Sequence, residues 1–354
     1  MRKMIEIDGS YGEGGGQILR TSVALSALTG KEVRVKNIRE KRPNPGLKRQ
    51  HITAIEAVRK ICNGDVEGLK EGSSSITFRP DKIEGGEYVF NIGTAGSITL
   101  VLQACILPSL FAEREVSITV KGGTDVKWAP PWDYFRHVFL PLLGKMNVEI
   151  EGWLKRRGYY PKGGGEAEVR IKPCAELNSI DFGKDGEEMS TKGIVNISLL
   201  PLHIAERIKN SAEREFGIKG IDAEIEIEEA NALSPGVGIV LWASGSSGRE
   251  AEKGGEGGGG RLLGADCLGE RGKPAEKVGK DAAISLIREI ESGADIDIRA
   301  VDQILPYMAL AGNSSFKCRK ISNHAETEMW LLEKFLGVKF EKKMENGLVR
   351  VNVP

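Results

Sequence analysis

Residues 14–35, GGGQILRTSVALSALTGKEVRV, decide the fold, because the chain repeats their pattern. They read as a glycine loop, a helix with apolar residues at helical spacing, and a strand in which Val33-Arg34-Val35 alternate. Residues 93–118, GTAGSITLVLQACILPSLFAEREVSI, keep the same order. A second helix and a strand follow each copy. In the first copy they are PGLKRQHITAIEAVRKI (45–61) and SSITFRP (74–80). In the second they are PPWDYFRHVFLPLLGKM (130–146) and GEAEVRIKP (165–173). A third copy lies near the end: VDQILPYMALAGNSSFKCRKI (301–321) resembles LQACILPSLFAEREVSITV (102–120), with Gln103 and Gln303 in register. HAETEMWLLEKFLGVKFE (324–341) then resembles residues 133–151. Such self-similarity marks tandem structural units.

The third copy stands much further from the second than the second from the first, which implies an insertion of roughly 100 residues. Residues 184–275 fit that size. They are acidic, with eleven Lys and Arg against sixteen Asp and Glu. Their own pattern is a strand (192–200), a helix (203–216) and two strands (222–230 and 238–245). SSGREAEKGGEGGGG (246–260) reads as a flexible surface loop. Beyond the insert, residues 276–293 read as a helix ending at Gly293. The expected fold class is α/β, built of α+β repeats. Three tandem units, each of two helices and a four-stranded sheet, occupy 1–183 and 276–354, with a smaller α/β domain inserted at 184–275.

Composition narrows the function. The 354 residues carry 50 Lys and Arg against 50 Asp and Glu, and 40% are hydrophobic, enough for a packed core. The charge is uneven: residues 29–60 hold ten Lys and Arg against three Asp and Glu, a candidate anion-binding surface. No run of about 18 apolar residues is present to span a membrane. Residues 1–8 hold no apolar signal core, so a cytoplasmic protein is expected. Five widely spaced cysteines without a C-x-x-C read as buried small hydrophobes in a reducing compartment. The P-loop, H-E-x-x-H, the P-C-x-x-C of zinc deaminases and the G-x-S-x-G elbow are absent, and GEGGGQ (12–17) does not fit the dinucleotide fingerprint G-x-G-x-x-G.

What remains clusters at helix starts. Tyr11–Gln17 and Asn91–Ser97 are glycine loops in equivalent places of two repeats, where backbone N–H groups can approach an anion. Glu13 repels a bare phosphate but suits a divalent cation bridging it to phosphate oxygens. Residues 39–51, REKRPNPGLKRQH, form a proline-stiffened loop with five cations, and Arg forks bind phosphate bidentately. Of the four histidines, His137 and His203 sit in helical segments and read as structural. His324 opens a helix after Ser322 and Asn323, where an imidazole can face a cleft and act as a nucleophile.

GEGGGQILRTSVALSALTGK, IREKRPNPGLKRQH, LGERGKPAEKVGKDAA and the His324 helix together resemble the RNA 3′-terminal phosphate cyclase family, over nearly the whole chain. The resemblance implies an ATP-dependent enzyme, of ligase class with nucleotidyl-transfer chemistry. It would convert an RNA 3′-terminal phosphate into a 2′,3′-cyclic phosphodiester through histidine-linked AMP and an RNA adenylate. By resemblance, His324 is the nucleophile and Glu13 binds the divalent cation, Mg or Mn. Arg20, Arg39, Arg42 and Gln50 line the triphosphate and RNA-phosphate site. Gln103, Asp302 and Gln303 match nucleotide-binding positions, and Pro130 matches a proline packed on adenine. Arg299 departs from the family's usual tyrosine, and a guanidinium can also stack on a base. The implied partners are ATP and RNA with a 3′-phosphate end; the oligomeric state is open. Two alternatives accompany this reading: a non-catalytic RNA-binding relative acting in ribosome biogenesis, against which His324 argues, and an enolpyruvyl-transferase-like enzyme, against which the repeat number argues.

Overall fold

The computed structural model describes residues 4–174, 176–182, 189–245 and 260–354. The glycine-rich stretch 246–259 therefore lies outside the described residues. The first unit runs β1 (Ile5–Asp8), α1 (Gly16–Thr29), β2 (Val33–Lys36), α2 (Arg49–Ile61), β3 (Asp65–Glu67) and β4 (Ile76–Arg79). The second runs β5 (Gly86–Asn91), α3 (Ile98–Ser109), β6 (Val116–Gly122), α4 (132–144), β7 (Ile150–Arg156) and β8 (Gly165–Ile171). Both sheets have one topology, orders β1-β2-β4-β3 and β5-β6-β8-β7. In each, the first pair is parallel across a helical crossover and the other pairs are antiparallel. Burial alternates along β6 and β8, so one face of their sheet packs inward and the other meets water.

The insert follows as β9 (Met189–Ser198), α5 (His203–Ile218), β10 (Ala223–Glu229), β11 (Gly236–Gly245), β12 (Leu262–Leu268) and α6 (Ala275–Ser292), with sheet order β10-β9-β11-β12. The chain ends with α7 (Ile298–Ala311), β13 (Ser314–Cys318), α8 (Asn323–Leu336), β14 (Glu341–Glu345) and β15 (Leu348–Val353).

Two features differ from the expectation. The third sheet has three strands, order β13-β15-β14. The place of its first strand is taken by Asp181, which bridges Ser315 in parallel, so the insert interrupts the third unit just after its opening segment. The second difference is α6, expected in the large domain. It packs on α5 and β12, and its apolar face (Val278, Ala282, Leu286) lies in the insert's own hydrophobic core. An amphipathic helix declares which face it buries, not what covers it. Gly293 does end α6, in the left-handed conformation at φ 77°.

One continuous core joins the three units, from Ile7 in β1 to Val353 in β15. Within it α1 packs against α2, α3 and α8. The N-terminal halves of α1, α7 and α8 are thereby brought side by side. The five cysteines are free thiols, four buried as expected; Cys267 is half-buried beside Lys273. Among the described residues no helix is long and apolar enough to cross a membrane.

Candidate functional site

The glycine loop reaches α1 through Gly12 and Gly14, at φ 54° and 58°, a region in which a side chain costs about 1–2 kcal/mol. Gly15 then takes the N-cap position without a side-chain cap, leaving the first amides of α1 without that partner. Cations gather there. A Cβ on Gly15 would come within 3.2 Å of Arg42 Nη2, and one on Gly16 within 3.2 Å of Arg20 Nη1 and into the His51 imidazole. Helix dipole, amides without a side-chain cap and two guanidinium groups make this a candidate anion pocket.

His324 faces it from α8. Ser322 caps that helix by accepting from Ala325 N–H, which fixes the direction in which His324 leaves the backbone. His324 Nδ1 lies 2.7 Å from Gln17 Oε1, and its Nε2 lies 3.3 Å from Glu13 Oε2. Arg42 Nη2 reaches the same Glu13 oxygen at 3.4 Å. The imidazole is half-exposed, so a ligand can reach it.

Behind His324 lies a cleft lined by Gln17, Arg20, Gln103, Asp302, Gln303 and Glu328. Gln103 Nε2 donates to Gln303 Oε1, joining the equivalent positions of two repeats, and Gln303 Nε2 donates to the Arg299 carbonyl. Burial pushes the Asp302 carboxyl up to about 7 and the Glu328 carboxyl up to about 8. Arg20 is pushed down to about 10 by burial, against the pull of Glu328 and Asp302, and stays charged at neutral pH.

The raised Glu328 carboxyl yields a stability prediction. The unfolded chain releases this proton near 4.5, the folded protein only near 8, so the group's contribution is lost as pH rises through that window. Glu328→Gln should therefore gain stability relative to the parent as pH rises, read by urea unfolding at both ends of the window. An equal difference at both ends would remove the buried proton from the account.

The other expected residues are distributed around this centre. Gln50 accepts from Ser97 N–H at 2.7 Å and so ties the basic loop to the second glycine loop. Thr99 Oγ1 donates to the Pro130 carbonyl at 2.7 Å, which places Pro130 beside the start of α3. Arg39 is turned inward: its Nη1 donates to the carbonyls of Asn44 (2.7 Å) and Gly46 (2.9 Å) and braces the loop. Arg299, which stands where the family has a base-stacking tyrosine and which the sequence reads as able to stack on a base, is paired with Asp266 of β12, so it links α7 to the insert.

Four residues of the centre went unassigned in the sequence reading. His51 accepts from Lys48 N–H through Nδ1 at 3.1 Å. Burial, with Arg20 and Arg39 nearby, pushes it down to about 3, so it is neutral. Gln17, Thr21 and Glu328 are the other three. A spacing signal existed for them: Glu328 follows His324 by four residues and Thr21 follows Gln17 by four, which puts each pair on one helix face.

Glu13 is the candidate metal ligand. No group of three or more His, Cys, Asp and Glu among the described residues is arranged to hold a metal ion. One half-exposed carboxylate beside an anion pocket fits an ion shared with a ligand's phosphate oxygens, and does not fit a closed protein cage. A separate open groove of about 560 Å³ between α5 and α6 shares no residue with this site, and its Arg207 and Lys280 are paired with Glu276 and Glu215.

Comparison with known proteins identifies the family. The family model described as RNA 3′-terminal phosphate cyclase matches residues 11–342. The chain is 47% identical to the RNA 3′-terminal phosphate cyclase of Methanosarcina mazei over 369 residues, covering 99% of this chain and 100% of that one. It is 47% identical to the protein of that name from Archaeoglobus fulgidus, covering 96% of this chain and 98% of the relative. For that from Pyrococcus furiosus the identity is 45%, with 98% of each covered. A family model matched over residues 11–342, with relatives 45–47% identical along nearly the whole chain, places the chain in the RNA 3′-terminal phosphate cyclase family.

Proposed function

We propose that this protein converts an RNA 3′-terminal phosphate into a 2′,3′-cyclic phosphodiester at the expense of ATP. The observation that carries the reading is His324 Nε2 beside Glu13 and Arg42, over the uncapped start of α1. His324 Nε2 attacks the α-phosphorus of ATP: an N–P bond forms, the α–β P–O bond breaks and pyrophosphate leaves. Arg20 and Arg42, with the α1 amides, hold the negative oxygens, where preplaced charge counts most. A divalent cation at Glu13, when bound, neutralises phosphate charge. An oxygen of the RNA 3′-phosphate then attacks the adenylyl phosphorus and His324 is released. Lastly the neighbouring 2′-oxygen attacks the terminal phosphorus, loses its proton to solvent, and AMP departs. That step is intramolecular, so holding the ribose supplies most of its advantage.

The test is incubation with ATP labelled at the α-phosphate and a divalent cation, denaturation, and peptide mapping of the covalent label. Label on the His324 peptide supports the reading; unlabelled protein contradicts it. Glu13→Ala should raise the cation concentration needed for half-maximal labelling by about tenfold or more, the loss of one charged ligand. An unchanged cation titration would remove Glu13 from the site.

A further inference from the structure

We propose that Glu328, acting through Gln17, is a positioning residue that holds a hydrogen on His324 Nδ1 and leaves the lone pair on Nε2. The inference rests on His324 being the nucleophile. Gln17 Nε2 faces three oxygens: Glu328 Oε2 at 2.8 Å, Asp302 Oδ2 at 3.2 Å and the His324 carbonyl at 3.2 Å. The His324 carbonyl can only accept, whatever the protonation of the two carboxyl groups. Turning the amide over would set its oxygen against that carbonyl, so the nitrogen stays inward and Oε1 points at His324. An amide oxygen only accepts, and it lies 2.7 Å from Nδ1, so Nδ1 must carry the hydrogen. In the neutral ring the lone pair then belongs to Nε2, the nitrogen on the anion-pocket side.

Glu328 is the anchor of this arrangement. It makes the shortest of the three contacts and receives Thr21 Oγ1 at 3.0 Å on each oxygen. It also sits one turn along α8 from His324, so ring and anchor move together. A competitor gives the device its purpose. Glu13 Oε2 lies 3.3 Å from Nε2 and by itself would draw the hydrogen there, leaving the lone pair on the wrong nitrogen. Gln17, locked from behind, opposes that pull.

The experiment combines ring-nitrogen NMR of the four histidines with labelling kinetics. The His324 signals are assigned by their loss in His324→Ala. In the parent and in Glu328→Gln, which keeps an acceptor oxygen, the neutral ring should carry its hydrogen on Nδ1. In Gln17→Met and Glu328→Met it should shift toward Nε2. The labelling rate should fall with little change in the ATP concentration for half-saturation, by at least tenfold and at most the ~10⁴-fold that a wrong tautomer costs in serine proteases. A parent ring with its hydrogen on Nε2 overturns the proposal even if every variant fails to fold. So do methionine variants with unchanged tautomer and rate. Correct tautomers in a parent that takes no label would instead sink the nucleophile assignment, leaving the hydrogen-bond relay standing.

Discussion

His324→Ala should take no label from ATP, a loss of about 10⁴-fold or more, while folding like the parent. The size follows from the absence of a substitute in the pocket. His51 is the other imidazole near the start of α1, but its Nδ1 is occupied by Lys48 N–H and its ring abuts Gly16. Stability should change by no more than about 0.5 kcal/mol, because the His324 side chain is half-exposed and its removal opens no core cavity. Labelling and urea unfolding of the same sample check both halves. A labelled alanine variant would move the nucleophile elsewhere.

Arg157→Ala should cost about 3–5 kcal/mol, because it strands the buried carboxyl groups of Asp125 and Asp133. The Arg157 side chain is 1% exposed. It donates to Asp133 Oδ2 at 2.8 Å, to Asp125 Oδ2 at 3.2 Å and to both oxygens of Glu228 at 2.8 and 2.6 Å. Asp125 and Asp133 belong to the second unit and Glu228 to β10, so this guanidinium fastens the insert to the body. Asn196 of β9 joins by donating to Asp125 Oδ1 at 3.1 Å. Burial already pushes the Asp133 carboxyl up to about 6 with the arginine present, which marks how poorly the site would tolerate losing it. Arg157→Lys should recover only part of the loss, since one ammonium cannot reproduce the fork. Urea unfolding gives the comparison, and an unchanged midpoint in the alanine variant would show that the cluster does not hold the insert in place.

The repeat was legible because each unit writes its helix and strand periods into adjacent residues. His324 was legible because a capped helix start advertises itself through Ser322 and Asn323. What escaped depends on pieces distant in sequence. The opening segment of the third unit is a bridge at Asp181, stranded far from α7 by the insert. β12 is a short apolar run after a glycine stretch, with no alternation to reveal it. Glu328 and Gln17 look like solvated helix residues until α1, α7 and α8 close around them. Arg299 looked available to a nucleobase because nothing local announces Asp266 as its partner. The basic loop was read as a set of phosphate ligands, yet Arg39 spends one guanidinium nitrogen on holding the loop's own shape.

The central claim is the conversion of the RNA end, and one measurement addresses it directly. A short RNA with a labelled 3′-terminal phosphate is incubated with the protein and a divalent cation, with and without ATP, and then treated with a phosphatase that removes only monoesters. The account predicts that the label becomes phosphatase-resistant only with ATP, and that AMP is released in equal amount. A label that stays removable in the presence of ATP would contradict it.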